Sequence, residues 1–241
     1  MKGLIIALQF MTRLPSPSLA VSKQDFAHCI RWFPAVGLII GAFLVAAAWA
    51  GLWISNWLAA LAALIFWVVI SGALHLDGLG DIADASGAAH KEQDKERLLA
   101  VLADPHVGSF GVTAIALQLI AKLVLLQQLL EHRAFIPLLL IPFAARIGPL
   151  LWSRILPSLH AGLGDIFHSA VRSWHLWLWG LIGLVLSPLS PSLFAAPFAL
   201  LIWAAWIKRR IGGISGDGHG AGIELCETLL LLAAVIWANI P

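Results

Sequence analysis

The chain is short of charge. Of its 241 residues only 12% are Asp, Glu, Lys or Arg, while 60% are apolar and the mean hydropathy is +0.90. A soluble domain carries about twice that share of charge, so a water-soluble fold is excluded. Cysteine is equally sparse. Cys29 and Cys226 stand far apart, which leaves neither a disulfide framework nor a CxxC metal motif. No polar stretch is long enough for a large soluble domain, because apolar runs near the roughly 20 residues that span a bilayer recur along the whole length. The apolar stretch before Pro15 lacks a small-residue cleavage site and runs straight into Pro15 and Pro17, which argues against a cleaved signal peptide. A net charge of +2, spread over several loops, offers nucleic acid nothing to bind.

What is present is apolar and periodic. Runs at about 34–54, 57–74, 109–130, 134–152, 175–188, 192–207 and 223–240 predict seven spanning helices, those at 175–188 and 192–207 being short. The chain therefore reads as an all-α polytopic membrane protein, a single domain over 1–241, with short amphipathic helices between spans. Gly37 and Gly41 form a small-xxx-small pair where a neighbouring helix can approach closely. Trp53, Trp57, Trp152, Trp174, Trp203, Trp206 and Trp237 fall near predicted helix ends, the level at which amphipathic rings meet headgroups.

Orientation follows from lysine and arginine, which cytoplasmic loops retain in excess. Lys2, Arg13, Lys23, Arg31, Lys91, Lys95, Arg97, Arg154, Arg172, Lys208, Arg209 and Arg210 share one side, and Arg133 stands on the other. Lys122 and Arg146 lie inside predicted spans. The N-terminus and every loop long enough to build a site, at about 75–108, 153–174 and 208–222, are thus expected on the cytoplasmic side. Every acidic residue except Glu131 goes with them.

Three cytoplasmic segments carry candidate chemistry. In His75-Leu76-Asp77-Gly78-Leu79-Gly80-Asp81-Ile82-Ala83-Asp84, the aspartates at i, i+4 and i+7 share an arc of roughly 60° if the helix continues through the glycines. Carboxylates that close repel unless they share a hard cation such as Mg²⁺, which favours a few carboxylates plus substrate phosphate oxygens. The plainer alternative is a solvated acidic helix end, against which the apolar Leu76, Leu79 and Ile82 argue. Next, the charged run Lys91–Arg97 leading into Leu98–Leu102 reads as a surface amphipathic helix. In Asp104-Pro105-His106-Val107-Gly108-Ser109 a turn then opens a helix whose free amides suit a phosphate. Last, six glycines fall within 212–222 ahead of Glu224 and Glu227. Gly213 and Gly216 would let the backbone itself approach a ligand such as a phosphate, and Asp217 and Glu224 would add carboxylates. A flexible hairpin is the alternative there.

Taken together, these segments resemble the cobalamin synthase family, the adenosylcobinamide-GDP ribazoletransferases. The matching stretches are Phe10–Pro15, Phe33-Pro34 with Gly37 and Gly41, His75–Asp84, Glu96-Arg97 with Asp104–Gly111, and Gly212–Glu227. They run in order through essentially the whole chain. The resemblance implies a Mg²⁺-dependent phosphotransferase of the prokaryotic cytoplasmic membrane, acting late in coenzyme B12 assembly. Its substrates would be adenosylcobinamide-GDP and α-ribazole or its 5′-phosphate, and GMP the leaving product. It further implies Asp77, Asp81, Asp84 and Asp217 as catalytic groups, with Glu224 joining them on the metal. Arg13, His75, Asp104, His106, Gly108, Gly213 and Gly216 would contact substrate. The sequence departs from the family pattern at Ala85, where glycine often follows the third aspartate, and at His106, where arginine is frequent. A neutral imidazole holds phosphate less strongly than a guanidinium.

Two rivals fit less well. A small transporter would place ionisable groups at mid-membrane in repeated halves, and no repeat is seen. A CDP-alcohol phosphotransferase would pair two aspartates with an arginine and add two later aspartates on following turns, a pattern this chain lacks.

Overall fold

The computed structural model describes residues 2–88, 95–160 and 162–240. Thirteen α-helices account for most of them: α1 (Lys2–Met11), α2 (Lys23–Cys29), α3 (Phe33–Gly51), α4 (Asn56–Ser71), α5 (Leu74–Ala88), α6 (Lys95–Leu102), α7 (Ser109–Glu131), α8 (Phe135–Ala145), α9 (Gly148–Ile155), α10 (Leu163–Ala170), α11 (Ser173–Leu186), α12 (Ala196–Arg210) and α13 (Gly216–Ala238). Short 3₁₀ turns join some of them, and the one β-type pairing among the described residues is a bridge between Ser158 and Ile214. The all-α reading holds.

Among the described residues, five segments are long and apolar enough to cross a membrane: Lys23–Gly51, Ser109–Glu131, Phe135–Ile155, Pro191–Arg210 and Gly216–Ala238. A sixth arises only if α4 and α5 are joined, and these two are bent by 84°. Length and apolarity thus support five or six spans, and the expected count of seven is not confirmed. The elbow explains one loss: Gly72 caps α4 in the left-handed conformation and Ala73 follows at φ 60°, so the chain leaves the α4 axis at Ser71 and does not run on to residue 74. Ser173–Leu189, expected as the fifth span, is apolar but short. The sixth expected span is longer than the sequence implied, because 3₁₀ turns from Pro191 lead directly into α12.

Glycine sets the closest approaches. A Cβ at Gly37 or Gly41 would strike the α8 backbone at Pro142 and Leu139, so the small-residue pair seats α3 on α8. A Cβ at Gly78 would lie 2.8 Å from the Asp217 carbonyl oxygen, and one at Gly220 would lie 3.2 Å from His75 Cα. These two contacts lock α5 across the start of α13. Rows of apolar side chains on α7, α11 and α12, Ile120, Leu181 and Phe198 among them, stay exposed as a lipid-facing belt requires. Trp53, Trp57, Trp174, Trp206 and Trp237 belong to that exposed set. Trp152 and Trp203 do not. Both are buried, and their indole N–H groups donate to the carbonyls of Leu200 (2.9 Å) and Gly218 (3.1 Å), so these two are core residues that tie α9 and α13 to α12.

Candidate active site

The α4–α5 elbow, the start of α7 and the start of α13 gather at one end of the bundle. The Arg13 amide donates to the Ile70 carbonyl at 2.8 Å, and its side chain lies over Gly72, which fixes the chain after α1 against the elbow. Beyond the elbow α5 is continuous, so Gly78 and Gly80 do not break it and Asp77, Asp81 and Asp84 keep their helical spacing. Gly78 is needed for contact with the Asp217 backbone, whereas a Cβ at Gly80 would lie 3.1 Å from the end of the Ile115 side chain of α7.

Asp217 enters from the far end of the sequence. Ser215 caps α13, its hydroxyl accepting from the Gly218 amide at 3.0 Å, and this puts Asp217 in the first turn beside α5. The positive end of the α13 dipole lies at the same point. Asp81 registers the convergence. Lying on α5, which turns away from the α4 crossing, it is half-buried, and its carboxyl is pushed up to about 6 first by burial and then by the negative charges of Asp217, Asp77 and Asp84. As the side chains stand, no three His, Cys, Asp or Glu groups among the described residues are close enough to hold a metal ion.

Asp84 is occupied differently from its neighbours. Its two carboxylate oxygens accept from the amides of Gly108 (2.7 Å) and Gly111 (2.9 Å), so it caps the start of α7. Two of the amides expected to bind a substrate phosphate, those of Gly108 and Gly111, are thus already bound by a carboxylate of the chain. Asp104 and His106 pair with each other at the surface, Oδ1 to Nδ1 at 2.7 Å. The amphipathic helix survives as α6, while Lys91–Asp94 lie outside the described residues.

Two further expectations change. Gly213 does not present an open backbone: a Cβ there would lie 2.8 Å from the Pro157 carbonyl oxygen, and the neighbouring Ile214 exchanges hydrogen bonds with Pro157 and Leu159. The segment is a pinned connection, neither a free cradle nor a flexible hairpin. Gly216, in contrast, is half-buried and lines a cavity at the carboxylates. Glu224 is nowhere in the acidic cluster. It is buried and accepts from Lys122 Nζ at 2.7 Å and Gln118 Nε2 at 3.0 Å, while Glu227 accepts from Lys122 Nζ at 2.6 Å and Arg146 Nη1 at 2.7 Å. The two intramembrane cations seen in the sequence are the partners of these glutamates.

Two hollows adjoin the acidic helix. One, of about 80 Å³, is bounded by Asp77 and Asp217, by His75 and His219, and by a set of aromatic rings. The other, a groove of about 690 Å³ further along α5, is lined by Ile82, Ser86, Phe110, Trp206 and Arg210 among others. The larger groove is not where the carboxylates meet. Phe167 was not singled out in the sequence. It reaches the small hollow from α10, and only the folded contact of α10 with α1 and α3 reveals it.

The model of the cobalamin-5-phosphate synthase family matches residues 3–235. Similar proteins named adenosylcobinamide-GDP ribazoletransferase include one from Novosphingobium aromaticivorans, 58% identical over 98% of this chain and 97% of its own. One from Laribacter hongkongensis is 47% identical over 100% and 99%, and one from Thiobacillus denitrificans 46% over 97% and 95%. No solved structure matches.

Proposed function

The chain belongs to the cobalamin-5-phosphate synthase family, and we propose that it joins adenosylcobinamide-GDP to α-ribazole or its 5′-phosphate in a late step of B12 biosynthesis. The ribazole 3′-hydroxyl oxygen bonds to the phosphorus that carries the corrinoid side arm, the bond from that phosphorus to the GMP oxygen breaks, and the hydroxyl proton passes to a base or to solvent. GMP and adenosylcobalamin, or its phosphate, are the products. The observation that carries this reading is the meeting of Asp77 and Asp81 with Asp217 from the far end of the chain, at an open end of the bundle.

The donor set fits Mg²⁺: hard carboxylate oxygens whose mutual repulsion raises Asp81 and would be relieved by a cation. Asp77, Asp81 and Asp217 would hold it after side-chain rotation. When bound, the ion supplies charge neutralisation on the phosphates and the departing GMP. The chain's own residues do the rest. Gly78 and Gly220 hold the α5 and α13 carboxylates together, and Asp84 fixes the start of α7 beside them. The site would face the cytoplasm from the inner membrane, as the basic residues imply, so a reporter after Pro241 should read as periplasmic and one near Lys91 as cytoplasmic.

The decisive assay is GMP release by purified protein given adenosylcobinamide-GDP, α-ribazole and Mg²⁺. Release that stops on chelation and returns with Mg²⁺ is expected. Absence of release with both substrates present overturns the reading.

A further inference from the structure

The 80 Å³ hollow has an unusual lining for a buried space. His75 and His219 are both buried, and neither ring nitrogen of His75 nor Nδ1 of His219 has a hydrogen-bond partner among the described residues. A buried polar group left unpaired costs free energy that folding normally avoids. Both residues line this one hollow, and a ligand seated in it would pair the nitrogens that face it. The other walls are apolar: Phe10, Phe33 and Phe167 contact one another with centroids 5.6–6.2 Å apart, and Met11 is buried beside them. Asp77 is exposed and Asp217 half-buried, so the hollow opens at the carboxylates.

We propose that this hollow is the subsite for a flat, mostly apolar heteroaromatic base, the dimethylbenzimidazole of α-ribazole, held between phenylalanine walls and the imidazoles of His75 and His219. The assignment rests on the transferase reading above. Size decides first. The volume is several times what one water needs, yet far below the roughly 300–1,000 Å³ that encloses a whole drug-sized ligand. It takes the leading edge of a ring system while the attached ribose stays at the mouth. Chemistry decides next. Guanine, adenine and the corrin amides carry several donors and acceptors that phenylalanine walls would leave unpaired. A benzimidazole riboside has one free ring nitrogen and an otherwise apolar rim, so one imidazole N–H satisfies the base and the second ring is available to a ribose hydroxyl. Seated this way, the sugar of the nucleophile lies beside Asp77 and Asp217, where the proposed reaction needs it.

The test uses the full-length protein in lipid nanodiscs with free 5,6-dimethylbenzimidazole as probe. In wild-type kinetics the probe should compete with α-ribazole and not with adenosylcobinamide-GDP. Competition against the corrinoid, or no inhibition at millimolar probe, overturns the subsite. His219→Phe and His75→Phe keep a ring in place without the nitrogens. They should raise KM for α-ribazole about tenfold, with KM for adenosylcobinamide-GDP held within about twofold. Equal shifts in both constants overturn it. Should either variant fail to fold, the wild-type competition still decides. Calorimetric binding of the probe separates the two readings: binding without any GMP release keeps the subsite and removes the transferase, whereas GMP release without binding or competition does the reverse.

Discussion

Along α13, Asp217 in the first turn and Glu224 two turns further on are carboxylates of one helix in opposite circumstances. Glu224 and Glu227 sit among Lys122 and Arg146, two anions against two cations, each joined by hydrogen bonds of 2.6–2.7 Å. Gln118 adds further bonds to Glu224 and Thr228, and Lys122 lies 4.2 Å from the Trp67 ring centroid. Charge there is closed on itself and ties α7, α8 and α13 together in a region where an unpaired ion would be prohibitive. Around Asp217 the opposite holds. The charges that shift Asp81 are all carboxylates, and they stand at the open end of the bundle. Balanced charge in this molecule is architecture, and charge of one sign is left for something the protein binds.

That contrast is most severely tested in the buried quartet. Glu227→Gln leaves Arg146 and Lys122 in excess by one charge, with an expected cost of roughly 3–5 kcal/mol and collapse of the purified protein in detergent, read by thermal melting. Replacing Arg146 and Glu227 together by methionine leaves the Lys122–Glu224 pair neutral, and much of that loss should return. If the double variant melts as low as the single one, the quartet does more than balance charge.

At the acidic end the same kind of substitution should do the reverse. Asp77→Asn, Asp81→Asn and Asp217→Asn should each lower kcat by about 10²–10⁴ while the fold survives. Asp81→Asn also makes a prediction about stability and pH. The folded-state carboxyl titrates at about 6 against an ordinary 3.8, so the stabilisation of its neutral form is fully present below pH 3.8 and is lost as pH rises through about 6. Asparagine, which cannot ionise, escapes that loss. The variant should melt above wild type at pH 7.5 and level with it at pH 3.5. A lower melting point at pH 7.5 would mean that Asp81 has a stabilising cation partner.

These two regions also mark what the sequence made legible. The aspartates of α5 were readable from local spacing, because a helix of known pitch fixes which side chains share a face. The join to Asp217 was expected because both segments fall on the same side of the membrane, but the glycines that make the contact, Gly78 and Gly220, carry no local signal that they seat one helix on another. Glu224 was misread because composition and order group it with Asp217. Its partners Lys122 and Gln118 are distant in sequence, and only the packing of α7 on α13 brings them to it. Trp152 and Trp203 were misread for the same reason, since tryptophan near a helix end has the same sequence signature whether it faces lipid or core. The aromatic walls from α1, α3 and α10 meet through tertiary contact alone.

Asp84 lies between the two cases and gives the finest test of the division. By spacing it belongs with Asp77 and Asp81, and it contributes to the field on Asp81. By contact it belongs with the architecture, since both oxygens accept amides at the start of α7. If contact decides, Asp84→Asn keeps one acceptor oxygen and should cost about 1 kcal/mol, a melting shift of a few degrees, as loss of a helix cap does. Its kcat should stay within about threefold of wild type, and Mg²⁺ dependence should be unchanged. Asp84→Ala, with neither oxygen, should be less stable again and still turn over. A fall in kcat of about 10² in Asp84→Asn with unaltered melting would put Asp84 on the metal with Asp77, Asp81 and Asp217, and the start of α7 would then be part of the site.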